Sequence, residues 1–221
     1  MFQSYFKRKE SKDQAPVSKK WKTAWLDIKY RIIIISGIIS FLIIVLFIYP
    51  PFFRYIEKRQ GYLLSDWFLN NIPAINVSLP VFICIWGMFF LLIIRAIKSP
   101  VLFRNFLISY ILLSITRIGM IFLLPLEPPP GIIELKDPLL SLFIGQKFIS
   151  KDLFFSGHTS MIFLLFLCVE NKTDKRIAAG TALITGVLLI MQHVHYTIDV
   201  AAAPLFAYIC FRLAKKFGLI T

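Results

Sequence analysis

Two short segments hold the residue types that do chemistry. One is Asp152-Leu-Phe-Phe-Ser156-Gly157-His158-Thr159; the other, His195-Tyr196-Thr197-Ile198-Asp199-Val200, begins 37 residues after His158. A carboxylate four residues after an imidazole shares its helical face, provided the helix already includes His195. Such a carboxylate fixes one tautomer and raises the basicity of the other ring nitrogen. That is what a nucleophilic or basic histidine needs, and His158 offers a second group for proton transfer. Ser156 and Gly157 stand where a helix opens, so their backbone N–H groups and the Ser156 hydroxyl can face an anion such as a phosphoryl group. Each segment also has a purely structural reading: Ser-Gly-His-Thr as a helix cap, and His195–Asp199 as an interfacial pair anchored by Tyr196. His193 reads as a supporting or surface histidine rather than a catalyst.

Both segments sit at the edges of long apolar runs, where an ionisable group is costly and therefore a candidate for function. The chain is 57% hydrophobic and 17% charged, with a mean hydropathy of +0.73. This composition excludes an ordinary soluble domain. A bilayer core of about 30 Å takes about 20 apolar residues per helix. Six runs qualify or nearly do: Ile32–Tyr49, Leu79–Ile97, Phe106–Leu126, Leu153–Val169, Ile177–His193 and Thr197–Leu213. The expected fold is thus an all-α, polytopic membrane protein. Its organisation is a basic leader (1–31), a six-helix catalytic domain (32–216) and a short tail (217–221).

A net charge of +13 would suit nucleic acid if it lay on one soluble face, but here it is sorted by loop. Eighteen Lys and Arg fall before the first run, after the second and fourth, and in the tail; six fall in the alternate connections; Arg117 is left inside the third run. By the positive-inside rule both termini are cytoplasmic, and the sorting works only with an even number of spans. His158, His195 and Asp199 then share the non-cytoplasmic face. The partner is a membrane, and no nucleic-acid partner is expected.

The first apolar run lacks a small-residue cleavage site at Tyr49-Pro50-Pro51-Phe52, so it reads as a retained anchor rather than a secretory signal. In the leader, Trp21 and Trp25 among lysines suit an anionic leaflet, although a solvated tail that only fixes topology accounts for the same residues. Cys84, Cys168 and Cys210 show no metal-ligand spacing, and neither metal nor cofactor is expected. The prolines of Glu127-Pro128-Pro129-Pro130-Gly131 disfavour helix, making Pro125 to Lys151 an irregular outer lid. A short interfacial helix is expected near Leu64–Leu69.

"DLFFSGHT" and "HYTIDV" resemble the two catalytic signatures of the sphingomyelin synthase family, a branch of the type-2 phosphatidic acid phosphatase superfamily of six-span membrane enzymes. The likeness is specific over these motifs, looser over 104–213, and only topological before residue 100. It implies that His195 attacks phosphorus through a phosphohistidine intermediate, that Asp199 orients it and that His158 handles the leaving-group proton. Substrate contacts are expected from Ser156, Gly157, Arg117, Asp152 and Tyr196. Asp152 is expected to cap the fourth span, tether the lid or meet a cationic headgroup; Arg117 is expected to meet an anion or a carboxylate such as Asp66. Two departures bear on lipid specificity: Ser150-Lys151 stands where synthases often have Cys-Gly, and Ala203-Pro204 where Ala-Tyr is usual, with Pro204 expected to kink the sixth span.

Superfamily phosphatases meet a dianionic monoester with a Lys-and-Arg motif and a further Arg before the second histidine. This chain has neither, and Gly186 to Met191 carries no base. A singly charged diester is the better match. The resemblance therefore implies a phospholipid donor, a ceramide-like lipid alcohol or water as acceptor, and diacylglycerol as product. The alternatives are a lipid phosphatase, a phosphodiesterase of phospholipase C type, and a non-catalytic lipid carrier or scramblase.

Overall fold

The computed structural model describes residues 16–136 and 148–220. Among these the regular structure is helical. In chain order the helices are α1 (Val17–Leu26), α2 (Ile28–Ile43), a π-helical turn (Ile44–Ile48), α3 (Tyr49–Lys58), α4 (Trp67–Asn71), α5 (Ser78–Lys98), α6 (Pro100–Leu123), α7 (Gly157–Cys168), α8 (Lys172–Met191) and α9 (Thr197–Lys216).

Among the described residues four helices are long and apolar enough to cross a bilayer: the continuous Ile28–Lys58, then α5, α6 and α9. They cover the first, second, third and sixth expected runs. The first helix runs on past Tyr49. Pro50 and Pro51 lack N–H donors, and the π turn just before them, closed by the Tyr49 N–H on the Ile44 carbonyl, lets the chain continue as helix. Phe47 (71% exposed) and Ile83 (64% exposed) show apolar side chains outward, as lipid contact requires.

The two remaining runs behave differently. The run expected from Leu153 becomes helix only at Gly157, because Ser156 takes the cap position. The resulting 12 residues extend about 18 Å. The run expected from Ile177 starts earlier, at Lys172, and its first turns carry Asp174, Lys175 and Arg176. Packing explains how short α7 can be. It contacts α5, α6, α8 and α9, and Ile162, Leu164 and Leu165 are buried. A helix that is apolar all round belongs in such a centre. The expected helix near Leu64–Leu69 is α4, shifted towards Trp67 because Asp66 caps it.

At one end of the bundle Arg95 grips Asp174 through two contacts of 2.7 and 2.9 Å, joining the end of α5 to the start of α8. At this end too, α1 is docked by the Trp21 indole N–H, which donates to the Ile97 carbonyl at 2.6 Å. Tyr30 donates to the Pro100 carbonyl at 3.2 Å. The opposite end gathers the starts of α7 and α9. There Arg59 donates to the carbonyls of Ile121 and Phe122, terminating α6 with a cation where the helix dipole favours one. α9 runs as helix through Pro204.

Candidate active site

The start of α7 is built around an absent side chain. A Cβ on Gly157 would lie 2.8 Å from Cζ of Arg117, so glycine is what lets the guanidinium rest against the helix N-terminus. Arg117 Nε donates to the Phe155 carbonyl at 2.8 Å, and its terminal nitrogen stands 2.8 Å from Oδ1 of Asp152. Phe155 is fully buried and stacks on Phe206 of α9 at 4.4 Å, which fixes that carbonyl. Asp152 is therefore the carboxylate that meets Arg117. It does not cap α7; the Ser156 hydroxyl does, accepting from the Thr159 N–H at 3.4 Å. Because that hydroxyl also donates to Thr159 Oγ1 at 3.2 Å, it is engaged inside the fold.

Asp66, the other carboxylate considered for Arg117, serves two helix starts instead. It accepts from Phe68 and Leu69 in α4 and from the backbone N–H and hydroxyl of Thr197 at 2.6 and 3.0 Å. Partial burial pushes its carboxyl up, but the Thr197 and α4 hydrogen bonds outweigh this and hold it below the usual range.

His195 precedes α9 rather than belonging to its first turn, yet its Nδ1 lies 3.5 Å from Oδ2 of Asp199. That oxygen also accepts the Tyr196 N–H at 3.0 Å, so one carboxylate closes the helix start and faces the imidazole. Both side chains are buried, at 2% and 0% exposure. The two motifs meet through the backbone, where the Ser156 N–H donates to the Asp199 carbonyl at 3.1 Å. Gly186 of α8 permits the same convergence, since a Cβ there would lie 2.6 Å from Val200.

A cavity of about 260 Å³ opens beside α7. Arg117, Asp152, Gly157, His158, Ser114 and Ser160 line it, together with Tyr49, Ile85, Tyr110, Leu113 and Met161. Of the residues expected at the site, Arg117, Asp152, Gly157 and His158 come together on this surface. His195 and Asp199 are not on its lining, nor is Ser156. Tyr196 is also elsewhere: its hydroxyl donates to the Glu127 carbonyl at 2.9 Å and accepts the Leu64 N–H at 3.3 Å, tying two loop segments to the start of α9.

Tyr110, Ser114 and Gln192 were not singled out from the sequence. Tyr110, Ser114 and Arg117 recur at helical spacing on α6, a polar stripe in an apolar run that was there to be read. Gln192 carries no comparable signal, while His193, expected as a supporting or surface histidine, is buried. The Gln192 side chain bonds Val77, Ser78, Ile133 and Glu134. The ring nitrogens of His193 lie 2.8 Å from the Pro130 carbonyl and 3.2 Å from that of Ile72, with a backbone φ of 55°. His193 is thus a buried hub between loops.

Among the described residues no group of three or more His, Cys, Asp or Glu side chains is placed to hold a metal ion. No curated protein matches the chain. Residues 151–216, which contain both motifs, match the family model described as PAP2 superfamily C-terminal. The match covers less than a third of the chain; it supports a likeness to the phosphatidic acid phosphatase superfamily and does not separate its branches.

Proposed function

We propose that this chain is a six-span membrane phosphotransferase of sphingomyelin-synthase type, which moves a phospho-headgroup from a glycerophospholipid to a ceramide-like alcohol. Its catalytic unit is residues 32–216, both termini are cytoplasmic, and the site faces the other side of the membrane. The observation that carries the reading is the graded cavity. One part holds Arg117, Asp152 and His158 with the hydroxyls of Ser114 and Ser160; another is apolar or aromatic, with Tyr49, Ile85, Leu113 and Met161. A phosphate carrying a hydrocarbon chain suits both parts. Because Asp152 already balances Arg117, a phosphodiester with one negative charge is a better guest than a monoester with nearly two.

The reaction is two displacements at one phosphorus. Asp199 faces Nδ1 of His195, leaving Nε2 to attack; because His195 is buried off the cavity lining, the attack requires the ring and the phosphate to be brought together when the lipid binds. A phosphorus–nitrogen bond forms, the bond to the diacylglycerol oxygen breaks, and His158 gives that oxygen a proton. His158 then takes the proton of the incoming hydroxyl, whose oxygen attacks phosphorus as the bond to His195 breaks.

The test is mass spectrometry of lipids after incubating the full chain with mixed phospholipids, with and without ceramide. Diacylglycerol plus a headgroup-bearing sphingolipid is expected, absent with His195→Ala and reduced about 100- to 10,000-fold with His158→Ala. A soluble phospho-headgroup in place of the sphingolipid would assign a diesterase. Inorganic phosphate released from phosphatidic acid would assign a phosphatase, and wild-type turnover by His195→Ala would overturn the mechanism.

A further inference from the structure

Immediately before Asp152 two carboxylates and one ammonium tie three segments together. Glu57, near the end of α3, accepts the N–H groups of Ser150 and Lys151 at 2.7 and 2.8 Å and the Ser150 hydroxyl at 3.1 Å. Lys151 Nζ donates to Glu127 at 2.8 Å and to the Arg59 carbonyl at 2.6 Å. Glu127 also accepts the Gly61 N–H at 2.7 Å, and the Lys151 hydrogen bond holds its carboxyl below the usual range. The next residue is the one that neutralises Arg117.

We propose that Glu57 and Lys151 are positioning residues that hold Asp152 against Arg117 and thereby set the charge of the phosphate group accepted. The inference deepens the diester reading above and rests on it. With two consecutive amides fixed on one carboxylate, Asp152 has little freedom to leave the guanidinium. The Arg117–Asp152 pair then brings no net charge to the cavity, and a dianionic group is repelled by the carboxylate more than a monoanionic one is. Releasing the latch lets Asp152 swing away, leaves Arg117 uncompensated and favours the dianion.

The experiment uses the full chain in lipid nanodiscs. Binding of dimethyl phosphate, a monoanion, and of inorganic phosphate near pH 8 is read from thermal shifts, beside hydrogen exchange at the Ser150 and Lys151 amides. Wild type is expected to prefer dimethyl phosphate. Glu57→Ala and Lys151→Met should speed exchange and move the preference about tenfold or more towards phosphate; Lys151→Arg should restore it, and Asp152→Asn should shift the preference without faster exchange. Faster exchange with unchanged preference would leave the latch a structural tie and overturn the proposal. So would unchanged exchange in Glu57→Ala. Lipid turnover is assayed separately: wild type that turns over no phosphodiester but shows the anion preference would refute the enzymatic reading and leave the latch standing.

Discussion

At the scale of single residues, the informative fact is how many tasks Asp199 performs. Its carboxylate closes the start of α9 and faces His195, at 0% exposure. Asp199→Asn keeps an oxygen for the Tyr196 N–H but removes the charge that steadies an imidazolium. It is expected to lower lipid turnover about 100-fold or more while the helix still forms, which circular dichroism and kinetics on one sample would check. Near-wild-type turnover would leave Asp199 as a helix cap alone. The proximity of His195 and Asp199 was legible from a spacing of four, although the helix begins only at Thr197. The Arg117–Asp152 pair was not. Its members are 35 residues apart, and no periodicity registers a carboxylate in a loop against a cation in a helix. Asp66 looked equally suitable on charge alone, until the geometry showed it committed to Thr197.

Among the elements, four apolar runs correspond to spanning helices because length and hydropathy decide that outcome locally. Where they erred, short-range chemistry overrode hydropathy: Ser156 started α7 four residues later than its apolar run, and the π turn carried the first helix through a pair of prolines. Tight helix contacts give a direct prediction. Gly186→Ala would set a methyl group 2.6 Å from Val200, one residue beyond Asp199, and overpacking of this kind costs about 1–3 kcal/mol. A lower Tm together with lost turnover is expected, and an unshifted Tm would show that α8 and α9 can part at no cost.

A second prediction at this scale concerns Asp66, which joins α4 to α9. A carboxyl depressed in the folded state stabilises above its unfolded value and loses that contribution as pH falls through the folded one. Stability should therefore drop below the ordinary carboxylate range, under about pH 4, and Asp66→Asn should flatten that drop in a pH series of thermal melts.

For the whole molecule, the proposed orientation rests on the sorting of basic residues and is open to a direct test. Arg95 and Lys98 lie at the end where α1 docks, and Lys151 at the end that holds His158. In a Cys84→Ala background, with Cys168 and Cys210 buried, a membrane-impermeant thiol reagent should label Lys136→Cys in intact cells. It should label Lys98→Cys only after permeabilisation. The reverse pattern would invert the orientation and place the site on the cytoplasmic side. Composition yields the apolar runs; the interlocking of loop segments through Gln192, His193 and Tyr196 was beyond it, because buried polar hubs are made by convergence rather than by any local pattern.

The docking of α1 also has a consequence in time. Trp21 and Tyr30 find their hydrogen-bond acceptors at Ile97 and Pro100, which are 76 and 70 residues further along the chain. At about 5–20 residues per second, several seconds of synthesis separate these donors from their acceptors. The amino-terminal helix is therefore made well before its partners, and it is secured only when the connection between α5 and α6 arrives.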